Sequence, residues 1–434
     1  MRAAFFTLGC KVNQYETNSM MQQFTAAGFT LVEPSDTADV YVVNSCTVTA
    51  AGDKKSLQIL RRYRRQNLAA VICLCGCFPQ AFPEQAAKIP EADIVMGSKD
   101  RAALLAAVQN RLSGAERLVH IAPHHRGEVF EPMHITDMDN HTRAFVKIQD
   151  GCERYCAYCI IPKARGPVRS KPLAEMTAEL TALAAGGYRE VVLVGINLST
   201  YGKELGLTLR DAVAAACAVP GLSRVRLGSL EPELLSDADI AAMAQWTTLC
   251  PQFHLSLQSG CDTVLRRMRR HYDTTEYRRI VAQLRAVFPH CAITTDIMTG
   301  FPGETEEEHR ASLAFAQEIG FARIHVFAYS PRPGTSAAAM PDQIPEDVKQ
   351  RRSREMIAVG QDLQQAFCAA QQGHTASVLF ETYEDGYGKG YAENYTPVWV
   401  PMTPEQADDL SGCTAAVTIT GVNDEACLGV LASQ

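Results

Sequence analysis

Nine short runs of β-branched, aromatic and aliphatic residues, each followed by a turn and a helix-like stretch, recur between residues 3 and 330. The first three are "AAFFTLGC", "ADVYVVNSC" and "AAVICLCGC", with helical patterns such as 14–27 and 53–66 behind them. Strand-like runs alternating with helices bury both faces of a parallel sheet, so residues 1–112 are predicted to form a doubly wound α/β domain. Each run ends in a cysteine: Cys10, Cys46 and Cys77. Open α/β sheets gather ligands beyond the carboxyl ends of their strands, where cysteines remote in sequence can meet.

The other six runs are "AFVKIQDGC", "EVVLVGIN", "RVRLGSLEP", "FHLSLQSG", "AITTDIMTGFPGE" and "RIHVFAYSP", with helical patterns at 172–186, 233–246, 274–287 and 305–319. Six repeats in one direction predict a partial (β/α)6 barrel over residues 143–370. "TEEE" at 305–308 reads as a capping box, with Thr305 and Glu308 satisfying free backbone N–H groups. Residues 113–142 lose the alternation, are rich in His, Pro and Gly, and read as a solvated linker. Residues 371–434 alternate on a period of two between glycine-rich turns, which predicts a small antiparallel β-barrel.

No stretch approaches the ~20 apolar residues of a membrane span, and the expected compartment is the cytoplasm. Thiols stay reduced there, so the 15 cysteines are read as ligands or small buried groups rather than disulfides. "GCERYCAYC" holds Cys152, Cys156 and Cys159 directly after the first barrel strand, with Tyr158 before the last. Three thiolates can hold three irons of a 4Fe-4S cube and leave the fourth open; the alternative is a zinc site with a distant fourth ligand. Gly195, Asn197, Glu231, Ser256 and Gln258 lie at later strand ends, where barrels of this kind hold bound ligands. Cys73, Cys75 and Cys77 alternate along one strand and would project from one face. Cys217, Cys250, Cys261, Cys291, Cys368, Cys413 and Cys427 lack cluster spacing.

The central cysteine stretch resembles the signature of radical S-adenosylmethionine (SAM) enzymes. That resemblance implies that the cosubstrate's amine and carboxylate chelate the open iron, and that its reductive cleavage yields a radical able to abstract hydrogen. Gly195 and Asn197 stand where the superfamily often has a Gly-Gly-Glu stretch meeting the methionine amine. "LGCKVNQYET", "VNSCTVTAAGDKKS", "GCFPQ", "GCERYCAYCIIPKARGPVRSK", "LSLQSGCDTVLRRMRR", "TDIMTGFPGET" and "GYAENYTPV" resemble the methylthiotransferases over nearly the whole chain. The resemblance implies a second 4Fe-4S cluster on Cys10, Cys46 and Cys77, a TRAM-like terminal barrel, and replacement of an aromatic C–H by C–S–CH3 using two SAM molecules. Cys77 is chosen over Cys73 and Cys75 because "GCFPQ" matches the family's third motif and because a residue past the strand has more freedom to reach a cluster.

"GCKVNQYE" with "CTVTAAGDKKS" is similar to the branch acting on threonylcarbamoyladenosine beside the tRNA anticodon. The implied partners are tRNA and an electron donor such as flavodoxin or ferredoxin, with no membrane. Rival readings are a methylthiotransferase for isopentenyladenosine or for a ribosomal-protein aspartate, and a zinc-stabilised RNA-binding protein. The net charge of -7 is uneven: residues 371–434 hold one basic residue, Lys389, against nine acidic ones. Basic runs lie at 54–65, 163–171, 266–271 and 349–354. Because the tail would repel phosphate, the runs at 54–65 and 266–271 are expected to carry more of the tRNA affinity than the tail, with Lys54, Arg61 and Arg65 on one helical face beside Arg62.

Overall fold

The computed structural model describes residues 1–138 and 142–432; residues 139–141 of the expected linker and 433–434 of the tail lie outside the described residues. The chain packs as two compact units. One comprises Met1–Gly186, Leu193–Thr208 and Ser330–Ala339, and the other Gly187–Val192, Leu209–Tyr329 and Met340–Gln434. These differ from the three-domain division expected from the sequence, because the loop carrying the central cysteines packs within the first unit.

The first unit is built on a six-stranded parallel sheet in the order Thr30–Val32, Arg2–Thr7, Val40–Ser45, Val71–Gly76, Ile94–Met96, Leu118–His120. Val40–Ser45 and Val71–Gly76 are buried throughout, as strands covered on both faces must be. On one face Tyr41, Val43, Ile72 and Leu74 pack with Ile59, Leu60 and Tyr63 of the helix Ala50–Gln66. On the other, Val40, Val42, Cys73 and Cys75 pack with Met20 and Phe24 of the helix Lys11–Ala26.

The sixth strand, Leu118–His120, comes from the tract expected to be a solvated linker. Phe130, Met133, Ile135 and Met138 of the same tract are buried. Ile135 N–H and Tyr15 Oη–H both donate to Glu179 Oε1, at 2.7 and 2.9 Å. The tract is therefore pinned by four apolar anchors set among polar residues, a spacing that carries no strand or helix period.

In the second unit Gln252–His254, Ala292–Thr299 and Arg323–Ala328 form a parallel trio, and parallel bridges join Val225 to Leu249 and Leu230 to Leu255. The helices Thr274–Val287 and Glu306–Ile319 lie where their patterns predict. Thr305 and Glu308 form the expected capping box. The tail is a closed barrel of five strands. It is not wholly antiparallel: Pro397–Pro401 pairs in parallel with Cys427–Leu431. Five is odd, and a ring of strands that alternates strictly in direction closes only with an even number. Buried Arg224 and Arg226 tie this barrel to the strand Arg224–Leu227, donating to the carbonyls of Tyr391 and Ala392 at 3.1 and 2.9 Å. Among the described residues no helix is long and apolar enough to cross a membrane.

Candidate cofactor and metal centres

Cys10, Cys46 and Cys77 follow three strands that are neighbours in the sheet, Arg2–Thr7, Val40–Ser45 and Val71–Gly76. The sheet's order reverses between the first two of these strands, which opens a crevice at their carboxyl ends. Asn13 joins the first two cysteine motifs: its Nδ2 donates to the Leu8 carbonyl at 2.7 Å and to the Ser45 carbonyl at 3.1 Å. Ser45 joins the second to the third, donating from Oγ to the Cys75 carbonyl at 2.6 Å and accepting from Phe78 N–H at 3.3 Å.

The three cysteines of the third strand separate at its end. Cys73 and Cys75 are buried in the core beneath the helix Lys11–Ala26. Gly76 then turns with φ +98°, and a Cβ there would fall 2.9 Å from Ser45 N. This left-handed step, open to glycine, places Cys77 at the start of a short helix, Cys77–Ala81, on the opposite face. Burial pushes the Cys46 thiol up to about 12. Burial also raises that of Cys77, against the opposing pull of Arg165. Coordination by a metal ion is what would deprotonate such thiols.

Arg165 is fully buried. Its Nε–H donates to Cys77 Sγ at 3.2 Å, and its Nη2 donates to Glu16 Oε2 at 3.1 Å and to Asn13 Oδ1. Cys10 Sγ lies 3.8 Å from the same Asn13 oxygen. Glu16 also pairs with Lys147 at 2.7 Å and Arg101 at 2.9 Å. Although burial opposes it, Arg101, Arg165 and Lys147 together hold the Glu16 carboxyl down at about 2. Buried cations thus stand beside the N-terminal thiols, an environment suited to an anionic thiolate cluster.

Cys152, Cys156 and Cys159 lie on one irregular loop of the same unit. Gly151 (φ +75°) starts it, and its absent Cβ leaves room for the Pro167 carbonyl. Cys159 N–H closes a turn onto the Cys156 carbonyl at 3.0 Å, and Cys152 N–H donates to the Gly166 carbonyl at 3.0 Å. Gln149 joins this loop to the Gly195 and Asn197 region, giving Nε2–H to the Gly151 carbonyl at 2.7 Å and accepting Asn197 N–H on Oε1 at 2.7 Å. A Cβ on Gly195 would stand 2.8 Å from that Oε1. Asn197 Nδ2 is 3.8 Å from Cys152 Sγ, while its buried Oδ1 has no hydrogen-bond partner. An unmet acceptor beside a cysteine of this loop fits an incoming ammonium group. Among the described residues no three His, Cys, Asp or Glu side chains converge as a compact single-ion site.

In the second unit Arg270 ties Glu231 to Ser256, pairing with the Glu231 carboxylate and donating to the Ser256 carbonyl at 3.2 Å. Gln258 takes φ +68°, and its N–H donates to the Asp296 carbonyl at 2.8 Å.

The four basic runs meet different fates. On the helix Ala50–Gln66, Lys54, Lys55, Arg61, Arg62 and Arg65 are exposed. In the run 163–171, Arg165, Arg169 and Lys171 are buried in ion pairs with Glu16, Glu128 and Glu179. Held in those pairs, the three are not free to meet phosphate. Lys349 and Arg352 are likewise buried, Arg352 against Glu304 at 2.8 Å. In the run 266–271, Arg267 is held by Glu308 at 2.6 Å and Arg270 by Glu231, leaving Arg266 and Arg269 exposed. Arg165 is the functional candidate that sequence reasoning missed; its signal was its place six residues after Cys159, read there as part of a charge run.

A family model described as "uncharacterized protein family UPF0004" matches residues 2–97, and that of the radical SAM superfamily matches residues 146–316. The radical SAM methyltransferase TsrM of Kitasatospora setae, solved with cobalamin and a 4Fe-4S cluster, shares the fold at a TM-score of 0.57 and 15% identity, over 78% of this chain and 77% of its own. A radical SAM core behind a UPF0004 domain is thus the class of protein. The threonylcarbamoyladenosine tRNA methylthiotransferase MtaB of Bacillus subtilis is 37% identical over 91% of this chain and 89% of its own. The tRNA-2-methylthio-N(6)-dimethylallyladenosine synthase of Pelotomaculum thermopropionicum is 31% identical over 98% and 96%. The chain belongs to the radical SAM methylthiotransferase family, whose superfamily cofactors are a 4Fe-4S cluster and SAM.

Proposed function

We propose that this chain methylthiolates carbon 2 of N6-threonylcarbamoyladenosine beside the anticodon of tRNA. The observation that carries the reading is its 37–38% identity, over nine-tenths of this chain, to methylthiotransferases named for that nucleoside, against 31–34% for relatives named for the dimethylallyl nucleoside. Cys152, Cys156 and Cys159 would hold a 4Fe-4S cluster, which with SAM would supply a one-electron cleavage whose radical product can remove hydrogen from an unreactive carbon. Gln149 holds the backbone of Asn197, whose Oδ1 would accept from a methionine ammonium, and Gly195 leaves the room that Gln149 Oε1 takes. Within the second unit, Arg270 fixes the Glu231 carboxylate beside the Ser256 carbonyl. Cys10, Cys46 and Cys77 would hold a second cluster as the sulfur carrier, and a flavodoxin- or ferredoxin-like protein of the cytoplasm would supply electrons.

The anticodon loop presents unpaired bases, so turning one toward a pocket costs at most roughly a few kcal/mol. The tRNA surface we assign is the outer face of the helix Ala50–Gln66, chiefly Lys54, Arg61, Arg62 and Arg65, with Arg266 and Arg269 adding less. Charge reversal at Arg61, Arg62 and Arg65 is expected to weaken tRNA binding more than reversal at Arg266 and Arg269, and to lower the slope of log K against log salt by about one unit per lost phosphate contact. An equal loss per reversed charge from the two sets of substitutions would refute that ranking.

Mass spectrometry of tRNA nucleosides from a strain lacking the gene tests the activity. The methylthio group should vanish from threonylcarbamoyladenosine and return on complementation. Loss from isopentenyladenosine instead would establish the alternative substrate.

A further inference from the structure

Arg165 has no place in the activity as described so far, yet from the helix that follows the central cysteine loop it touches an N-terminal thiol, that of Cys77. It ends the short helix Ile161–Arg165 that follows Cys159. Its guanidinium is fully buried, and three of its contacts converge on the N-terminal triad: Nε–H to Cys77 Sγ at 3.2 Å, Nη2–H to Asn13 Oδ1, and a two-pronged pair with Glu16. Asn13 in turn carries Cys10 Sγ at 3.8 Å and holds the Ser45 carbonyl next to Cys46. A planar guanidinium stays charged in any environment and cannot swing its donors independently. Fixing one edge on Glu16 therefore fixes the Nε–H that meets the sulfur.

From this geometry we infer that Arg165 is a positioning residue for the N-terminal cluster, orienting the Cys77 thiolate and setting the cluster's reduction potential from within the loop that ligates the other one. The inference rests on the two-cluster reading given above. A hydrogen bond and a fixed positive charge at a ligating sulfur stabilise the more negative, reduced state, and so raise the potential. Fixing the guanidinium also links the two cysteine sets mechanically: the N-terminal triad takes its final geometry when the 152–165 segment is folded.

The test is an EPR-monitored redox titration of the full chain carrying both clusters, with the central signal identified from a Cys10→Ala, Cys46→Ala, Cys77→Ala variant and from its response to SAM. Arg165→Gln should move the N-terminal midpoint to more negative potential and leave the central one in place. Arg165→Lys, which keeps the charge but not the fixed Nε–H, should fall between. Pulsed EPR on wild-type protein labelled with 15N-arginine needs no substitution, and should show a nitrogen coupled to the reduced N-terminal cluster. An N-terminal signal with no such coupling, or with the same midpoint in all folded variants, overturns the inference. A wild-type chain with the central signal alone instead removes the two-cluster reading on which it rests.

Discussion

The two cysteine triads of the first unit are assembled in opposite ways. Cys152, Cys156 and Cys159 lie within a single loop, shaped by one turn and by the glycine that begins it. Cys10, Cys46 and Cys77 come from three neighbouring strand ends, held by Asn13, Ser45 and a buried charge network. A local triad needs its loop alone, whereas a dispersed one depends on sheet register and on long-range ion pairs. The central site should therefore tolerate change in its surroundings, while the N-terminal site should fail with its frame.

The largest expected effect comes from removing ligands. Cys152→Ala, Cys156→Ala and Cys159→Ala together should abolish methylthio product and about half the iron while leaving an N-terminal cluster detectable by EPR. Cys77→Ala should lose N-terminal iron and keep the SAM-responsive signal. If Cys77→Ala also emptied the central site, the local assembly of the central triad would be refuted.

Next is the charged frame. The Glu16 carboxyl is held at about 2 against an ordinary 4.5. A depressed carboxylate stabilises the fold above its unfolded value and loses that contribution as pH falls through its folded value, so this one acts above pH 4.5 and fades toward pH 2. Glu16→Gln should lower stability at neutral pH by about 3–5 kcal/mol, the cost of breaking a buried ion pair, and flatten the acid limb of a denaturation series across that window. An unchanged limb would mean that the frame does not support the N-terminal triad.

Asn197→Ala should weaken SAM binding roughly tenfold, the order expected for one hydrogen bond to a charged group, with the central iron content unchanged. Isothermal titration checks this, and equal affinity would remove Asn197 from the site. Smallest is Cys75→Ala, which deletes a buried packing atom: about 1 kcal/mol of stability and no iron. Iron loss there would transfer the third ligand from Cys77 to Cys75.

Much of this architecture was legible in the chain, for identifiable reasons. The nine strand-like runs are rich in Val, Ile and Phe, and "TEEE" marks a helix start by chemistry local to four residues. That three neighbouring strand ends each carry a cysteine was foreseeable, because three runs share one ending. Long-range pairing left no local trace. Arg165 and Glu16 lie 149 positions apart, so the buried run 163–171 and the exposed run 54–65 look alike in sequence. Nor does any period announce the return of Ser330–Ala339 to the first unit, where Arg332 donates to Thr47 at 2.8 Å. The one parallel pair in the tail barrel follows from strand number, which the period-two pattern does not count.

Iron and acid-labile sulfide, measured on anaerobically reconstituted full-length protein, address the two-centre arrangement most directly. About eight irons per chain, falling to about four when the three central cysteines become alanine, are expected from two 4Fe-4S clusters. About four irons in the wild type, all lost with those same substitutions, would contradict it.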